Sequence, residues 1–232
     1  MTPPQLTEVE ALELLAQHYG LTGQLVTLPG ERDRNFQLYL AGGAKNTFKV
    51  VNAAVHLESL QTEIREMQHL NSELGSIVPH PLADQAGHFI SQGNLQNGSA
   101  CWLRLQSWQL GIPLAEFRPH TPELFHSVGH LMGQVAASLS TLAVQDPHPE
   151  LPWHPDQASE IIEAGIFLVT DPLLKNFLEQ ALRLYDRYGR PLETDLPRSL
   201  IQNDSNDYNV LVHGGLEGLS LIHISEPTRH TR

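Results

Sequence analysis

Two acids and several amides lie between two apolar segments near the end of the chain, in the stretch LIQNDSNDYNVLV at residues 200–212. Asp204 and Asn209 flank a second acid, Asp207. One interpretation is a β-hairpin turn, because Asn and Asp tolerate turn geometry and hydrogen-bond to their own backbone. The other is a catalytic loop, in which buried strands hold an acid and a metal-binding amide in place. The local pattern leaves both interpretations open.

The spacing of Asp204 and Asn209 is also that of a phosphoryl-transfer site. Such a reaction needs phosphates and a metal ion held in place, and an acid beside the attacking hydroxyl. Protein kinases use H-R-D-x-x-x-x-N for the acid and a metal-binding Asn, and a third-strand Lys that pairs with phosphates and with a Glu on the next helix. Lys49, in TFKVVN, and Glu63 follow the same order along the chain. In the alternative interpretation, Lys49 has no catalytic role and protects the exposed edge of a strand.

The elements that would position these residues begin with a mixed front half. Apolar residues at helical spacing, followed by Gly20, predict a first helix, and LESLQTEIREMQHL predicts a second, amphipathic one. Short segments bounded by turn residues predict strands. The predicted helices cover residues 7–19 and 57–70, and the predicted strands cover 23–28, 35–41, 47–52, 87–92 and 100–108. This order predicts a small antiparallel sheet with a helix packed against it.

The rear half of the chain has a helical pattern. Helices are predicted over residues 122–142, 157–169 and 172–188, and the proline-rich stretch DPHPELPWHP connects the first two. A hinge is expected between Ser107 and Gly111. The predicted fold class is therefore α+β with two lobes, a sheet-containing lobe over residues 1–106 and a helical lobe over residues 107–218.

The composition describes a globular chain and excludes several classes of protein. Charged residues make up 17% and hydrophobic residues 41% of the chain, which is typical of a folded domain. A net charge of -12 argues against nucleic-acid binding. Cys101 is the only cysteine, so no disulfide framework can form and a reducing compartment is expected. Without an apolar run of membrane-spanning length or a signal-like start, we expect a cytoplasmic protein with no membrane partner.

Thirteen histidines invite a metal-site interpretation, which their spacing does not support. His126 and His130 would share a helix face, and His148 and His154 lie in the proline-rich connection. Neither pair has a nearby acid or a third ligand at zinc-site spacing, so surface or capping roles are expected. Neither G-x-G-x-x-G nor G-x-x-x-x-G-K-[ST] occurs, which argues against a Rossmann-type nucleotide site.

Five stretches of the chain resemble the aminoglycoside phosphotransferase and choline kinase-like family, and within it hydroxylysine kinase-like proteins. They are LPGERDRNFQL (28–38), FKVV (48–51), RLQSWQLGIPL (104–114), LPWHPD (151–156) and LPRSLIQNDSNDYNVLV (196–212). The last is the most specific, because it is similar to the family's IHNDANDYNVLV. The resemblance extends over nearly all of residues 7–216.

The resemblance implies a two-lobed protein-kinase-like fold and an enzyme that uses ATP and Mg²⁺. By it, Asp204 is the catalytic acid–base residue and Asn209 is a magnesium ligand. Lys49 is expected to hold the ATP phosphates, and Glu63 is expected to form an ion pair that orients Lys49.

The resemblance also assigns the turn GERDRNF to the nucleotide phosphates, in place of a glycine-rich loop. Arg32, Asp33 and Asn35 are therefore candidate cofactor-binding residues. If Glu63 points to solvent on the far face of its helix, Glu66 and Glu58 on the same predicted helix are the replacements.

Two features depart from the family pattern. Gln202 stands where the family usually has a His, a change that we expect to be tolerated. The family's next motif, IDFGD, supplies a second metal-binding Asp and is expected just after LVHGGLEG. Residues 219–229, LSLIHISEPTR, instead match the translation of a transposase sequencing adapter without a gap. We therefore interpret residues 219–232 as a non-native tail, and we expect a truncated reading frame with little or no activity.

Two functions fit these expectations. The first is a kinase that transfers the γ-phosphate of ATP to a hydroxyl of an amino-alcohol metabolite, similar to hydroxylysine, with Trp153 and Asp156 contributing to the acceptor pocket. The alternative is a non-catalytic kinase-like module, which in this subgroup can precede a pyridoxal-phosphate aminotransferase domain. In both cases the expected partners are small molecules.

Overall fold

The computed structural model describes residues 2–30, 32–142, 158–192, 195, 199–202, 204–213 and 218–221. They belong to two compact units. The described residues within 1–142 and 200–232 make up the first unit, which contains both sheets and the first three helices. The described residues within 143–199 make up the second unit, which contains the last two helices.

The helices of the first unit begin where the sequence supplies caps. The hydroxyl of Thr7 accepts from the Glu10 amide at the start of α1, and Thr121 caps α3 in the same way, with Pro122 as its first residue. Such side-chain acceptors satisfy amide groups that have no partner within the helix. The three helices are α1 (Glu8–Tyr19), α2 (Leu57–Leu74) and α3 (Pro122–Leu139). The predicted helices are confirmed, with α2 longer and α3 shorter than expected.

The strands form two antiparallel sheets. The larger one has the order β1-β2-β3-β6-β4, with β5 also paired to β6, and the smaller one has the order β7-β8-β9. The strands are β1 (Gly23–Leu28), β2 (Arg34–Leu40), β3 (Lys45–Asn52), β4 (Pro81–Leu82), β5 (Ser91–Asn94), β6 (Ala100–Ser107), β7 (Ile112–Pro113), β8 (Val210–His213) and β9 (Gly218–Leu221). The predicted antiparallel sheet with helices, an α+β arrangement, is confirmed.

The strand predicted over residues 87–92 is displaced, because Asp84 organises a turn in that region. Its carboxylate accepts hydrogen bonds from the Ala86 and His88 amides and from the Ser91 hydroxyl. Burial acts to raise the pKa of Asp84, but the hydrogen bonds from Ser91, His88 and Ala86 together outweigh it and lower the pKa below its ordinary value. Strand β5 therefore begins only at Ser91, after this turn. Short Asp side chains compete with sheet hydrogen bonding in this manner, which alternation of apolar residues does not reveal.

One face of the larger sheet forms a core with α1. Apolar side chains from β2, β3 and β6 meet one face of that helix, and Tyr19 packs edge-on against Phe48 with ring centroids 6.0 Å apart. The buried members of this core include Ala11, Leu14, Leu15, Phe36, Leu38, Phe48, Val50, Leu103 and Leu105. Because strand residues alternate between faces, the residues between these apolar ones lie on the opposite face.

A second core joins α2, α3 and the smaller sheet. It contains Ile64, Met67 and Leu70 from α2, Leu124, Leu131, Val135 and Leu139 from α3, and Val210, Val212 and Leu221 from β8 and β9. The backbone amide of Leu221 also donates to the carbonyl of Ile77, 2.7 Å away. Gly111 allows the connection after β6 to pass close to β8, since a Cβ there would lie 2.8 Å from the Cβ of Leu211. Its φ of 145° also favours glycine.

The second unit contains α4 (Ala158–Gly165) and α5 (Pro172–Leu184). A 3₁₀ turn over Ile166–Leu168 follows α4, and a π turn over Tyr185–Gly189 follows α5. The predicted helices over 157–169 and 172–188 are confirmed for these parts, while residue 157 lies outside the described residues. Among the residues that the structure describes, no helix is long and apolar enough to cross a membrane.

We expect Leu70→Ala to lower the free energy of unfolding by about 2–5 kcal/mol, because Leu70 is fully buried in the second core and its truncation leaves a cavity. Leu57, in the first turn of the same helix, is 37% exposed. Leu57→Ala should therefore cost no more than about 1 kcal/mol. Urea unfolding of both variants measures the difference, and equal losses would contradict the assignment of this core.

Candidate active site

The segment from Asp204 to Asn209 folds as a tight turn. The side-chain amide of Asn206 donates to Oδ1 of Asp204 over 2.6 Å, and its oxygen accepts from the backbone amide of Tyr208 over 2.9 Å. The backbone amide of Asn209 donates to the carbonyl of Asn206 over 3.0 Å. Asn206, which the sequence analysis did not single out, thus shapes the turn and orients one carboxylate oxygen.

Asn209 holds the other side of Asp204. Its amide nitrogen donates to Oδ2 of Asp204 over 2.7 Å and to the Asp204 backbone carbonyl over 3.0 Å. Asn209 is only 2% exposed, whereas Asp204 is partly exposed. Both oxygens of one carboxylate are therefore oriented by amide donors, and the carboxylate keeps access to solvent.

Buried strands anchor the end of this loop. The Leu114 amide donates to the Val210 carbonyl over 2.8 Å, and the Ala115 amide donates to the Asp207 carbonyl over 2.9 Å. Val210 begins β8, which pairs with β7 and β9. Residues 199–202 form no strand, so the β-hairpin interpretation of this stretch is wrong. The turn instead connects an irregular segment to a central strand.

A polar row crosses the face of the larger sheet opposite α1. In the antiparallel register Asn35 on β2 lies opposite Lys49 on β3, which lies opposite Arg104 on β6. All three are buried, with exposures of 7%, 3% and 2%. Lys49 is therefore not a lysine at an exposed strand edge, since β3 pairs with strands on both sides. Buried cations require polar or acidic partners, so this face serves a purpose other than solubility.

Helix α2 supplies an acid to this row. Oε2 of Glu63 accepts a hydrogen bond from Nη1 of Arg104, with 2.5 Å between the two atoms. The ion pair of Glu63 that we expected to involve Lys49 is thus made with Arg104, the cation directly opposite Lys49. Glu66, one turn further along α2, is buried as well at 5% exposure. Glu58 is exposed in the first turn.

Arg104 was missed as a candidate site residue, although the sequence contained a signal. In the stretch ACWLRLQS the arginine lies between Leu103 and Leu105, which belong to the first core. Alternation in a central strand places such an arginine on the opposite face, together with Lys49.

The turn between β1 and β2 lies next to the polar row. Leu28 is the last residue of β1 and pairs with Asn35, whose amide nitrogen donates to the Pro29 carbonyl over 3.4 Å. A Cβ at Gly30 would lie 2.4 Å from the Asp33 carbonyl oxygen, so only glycine fits there. Asp33 is buried and Arg32 is partly exposed. The candidate residues of this turn therefore lie at the end of the strands that contain Asn35 and Lys49.

The histidines do not assemble a metal centre in the part of the chain that the structure describes. No group of three or more His, Cys, Asp or Glu side chains converges there. His126 and His130 are exposed on α3, and His148 and His154 lie outside the described residues, as do Trp153 and Asp156. Gln202 accepts a hydrogen bond from the Ser205 hydroxyl, so it contributes to the loop as a neutral acceptor.

The oxygen atoms of Asp204 and Asn209 are the donor set that suits a hard cation. Mg²⁺ takes oxygen ligands and is commonly bound by one or two side chains together with substrate phosphates and water. The carboxylate of Asp204 and the amide of Asn209 are adjacent and of the required chemistry. The residues present are therefore compatible with Mg²⁺.

Comparison with known proteins identifies a family that the chain matches. Residues 26–219 match the model of a family described as the phosphotransferase enzyme family. A comparison with proteins of curated function finds no match.

Several solved structures have a similar fold. An amicoumacin kinase in complex with AMP-PNP, Ca²⁺ and Ami is 17% identical, with a TM-score of 0.67 over 94% of this chain and 64% of that chain. A microcompartment-associated aminopropanol kinase is 14% identical, with a TM-score of 0.63 over 92% and 67%. The GDP complex of a mutant aminoglycoside 2′-phosphotransferase-IIIa is 16% identical, with a TM-score of 0.66 over 94% and 72%. This chain thus spans less than two thirds of the amicoumacin kinase, and the likenesses confirm the protein-kinase-like fold.

We expect Asn209→Ala to destabilise the protein by about 1–3 kcal/mol, because it removes two hydrogen bonds from Asp204 at a buried position. Asn97 is a matched control, since it is exposed and makes a single local hydrogen bond, to the Ser99 amide. Thermal unfolding of both alanine variants tests this expectation. A loss for Asn209→Ala no larger than that for Asn97→Ala would show that the amide does not hold the loop.

Proposed function

Because the chain belongs to the phosphotransferase enzyme family, we propose that it is part of an ATP-dependent kinase that phosphorylates a hydroxyl of a small amino-alcohol, similar to hydroxylysine. The observation that carries this proposal is the Asp204 carboxylate, partly exposed and held on both oxygens by amides. A positioned acid at the end of an anchored loop is what phosphoryl transfer requires of a protein.

Asp204 is the residue that receives the acceptor hydroxyl. A carboxylate offers about four positions for hydrogen-bond donors, and the two amides take one position on each oxygen. A hydroxyl that donates to Asp204 would have its oxygen directed along a fixed line. As that oxygen bonds to the γ-phosphorus of ATP, the bond from the γ-phosphorus to the bridging oxygen would break, ADP would leave, and the hydroxyl proton would pass to the carboxylate. The loose transition state of phosphoryl transfer makes this alignment more important than a strong base.

Lys49 is the residue that would hold the nucleotide phosphates. It lies on the polar row next to Asn35, and the turn that contains Arg32 and Asp33 ends directly before β2, the strand that carries Asn35. A phosphate group bound at Lys49 would therefore lie beneath this turn. Asn35 and the turn amides supply donors, in the manner of backbone concavities that bind anions.

Asn209 would hold Mg²⁺ through its amide oxygen, with Asp204 beside it. When bound, Mg²⁺ would neutralise charge on the phosphates and hold them in line with the acceptor. Glu63 and Arg104 do not need to contact the nucleotide, because their mutual ion pair already satisfies both charges in part.

Acidic residues near the loop favour an aminated acceptor. Asp207 is exposed three residues after Asp204, and its carbonyl is bonded to Ala115, which brings the exposed Glu116 to the same region of the chain. Negative side chains at the entrance to a site attract cationic substrates. These acidic residues support an amino-alcohol as the class of acceptor. The choice of a hydroxylysine-like acceptor within that class is supported by the sequence resemblance to hydroxylysine kinase-like proteins.

The alternative, a non-catalytic kinase-like module, draws support from β9. This strand pairs with β8 in the place expected for the family's next motif, with Leu221 opposite Val210. Its residues are Gly218, Leu219, Ser220 and Leu221, so none of them offers a carboxylate beside Asn209. The family match ends at residue 219, where the adapter-like segment begins. We propose that the chain as given therefore has little or no activity.

We expect that replacing residues 219–232 by the natural continuation of the gene, with its second metal-binding Asp, will produce Mg²⁺-dependent phosphorylation of an amino-alcohol. The chain as given should show at least about a hundredfold less turnover, because loss of a group that stabilises transition-state charge commonly costs that much. Transfer of labelled phosphate from ATP and from GTP to a panel of amino-alcohols measures both. Equal, robust turnover in the two proteins would overturn the truncation interpretation.

In the repaired protein we expect Asp204→Asn to lower kcat by at least about a hundredfold, since the amide cannot accept the hydroxyl proton. The matched control is Asp207→Asn, which removes an exposed carboxylate from the same turn but leaves the backbone bond of Asp207 to Ala115 intact. It should change kcat by less than about threefold, with any effect appearing in the KM for a cationic acceptor. Comparable losses of kcat in both variants would remove Asp204 from its proposed role.

A further inference from the structure

Two cations lie directly opposite each other on a buried face of the sheet. Lys49 and Arg104 are register partners on β3 and β6, and both are almost fully buried. Directly opposite side chains on antiparallel strands lie close together, and like charges in such pairs are destabilising. The arrangement therefore requires carboxylates at this face, and Glu63 is one of them.

The Glu63–Arg104 pair connects the sheet to the second core. Glu63 is on α2, and the next residue, Ile64, packs in the same core as Val210 of β8. Val210 directly follows Asn209, the residue that holds Asp204. One ion pair thus joins β6, the neighbour of the strand that carries Lys49, to α2. Helix α2 in turn packs in one core with β8, the strand that follows the Asp204 loop.

We propose that Arg104 is a positioning residue of this enzyme, which acts through Glu63 to fix the location of α2 against the sheet and thereby the location of Lys49 relative to Asp204. This proposal rests on the proposed function. In this proposal Arg104 acts through its bond to Glu63 and is not itself a ligand of the phosphates.

The geometry explains why this position is occupied by arginine. A guanidinium presents several donors in a rigid plane, so it can hold a carboxylate and other acceptors at once, whereas a lysine presents a flexible point charge. The charge-assisted bond to Glu63 is short. Arg104→Lys is therefore expected to preserve charge but not the position of α2.

The experiment separates positioning from stability with a paired replacement. Glu63→Met leaves the buried charge of Arg104 without its partner, and Arg104→Met leaves the partly buried carboxylate of Glu63. The double variant replaces the whole pair with apolar side chains, which commonly restores stability. Arg65→Met is the matched control, because Arg65 is on the same helix but exposed, with its guanidinium bonded to Thr62. The Tm of each protein and its affinity for AMP-PNP with Mg²⁺ are measured on the chain as given.

We expect Arg104→Met to lower Tm and to weaken AMP-PNP binding roughly tenfold, within the range found for coupled neighbours. The double variant should recover most of the Tm but not the affinity, and Arg65→Met should change neither. Recovery of both properties in the double variant would show that the pair is only structural, and unchanged affinity in Arg104→Met would also overturn the proposal.

The outcome distinguishes this proposal from the proposed function. If the unaltered chain binds AMP-PNP and Arg104→Met binds it equally well, only the role of Arg104 is wrong. If the unaltered chain binds no nucleotide, while its Tm shows that it is folded, the nucleotide-binding function has failed and the proposal falls with it.

Discussion

The burial of Lys49 and Arg104 side by side on one sheet face is the constraint on which the arrangement of the first unit depends. Buried charges are tolerated only when they are paired and hydrogen-bonded. An acid must therefore approach from outside the sheet, and α2 supplies it with Glu63. The helix cannot be displaced without leaving a buried charge uncompensated, so its position over the sheet is fixed by electrostatics as well as by packing.

The same helix determines where the loop with Asp204 lies. Ile64, Met67 and Leu70 of α2 pack in one core with Val210 and Val212 of β8. Asn209, immediately before that strand, binds the Asp204 carboxylate. A charged face and an apolar face of one helix thus connect the two groups that the proposed reaction requires, a phosphate-binding lysine and a hydroxyl-orienting acid.

Much of this arrangement could be predicted from the sequence, because local signals and spatial neighbours coincide. The caps of α1 and α3, the strand around Lys49 and the Asp204–Asn209 spacing are all local patterns. The strand near residue 87 was misplaced because side-chain bonds to Asp84 override alternation. The partner of Glu63 could not be predicted, since it depends on strand register: β6 follows β3 only after α2 and two other strands, yet pairs with it directly.

The central claim is that nucleotide phosphates bind between Lys49 and the Asp204 loop, and a crystal structure of the chain with AMP-PNP and Mg²⁺ tests it most directly. We predict phosphate oxygens within hydrogen-bond distance of Nζ of Lys49, the turn with Arg32 and Asp33 over them, and the metal beside the amide oxygen of Asn209. Clear density for the nucleotide at a site that contacts neither Lys49 nor the Asp204 loop would contradict the account.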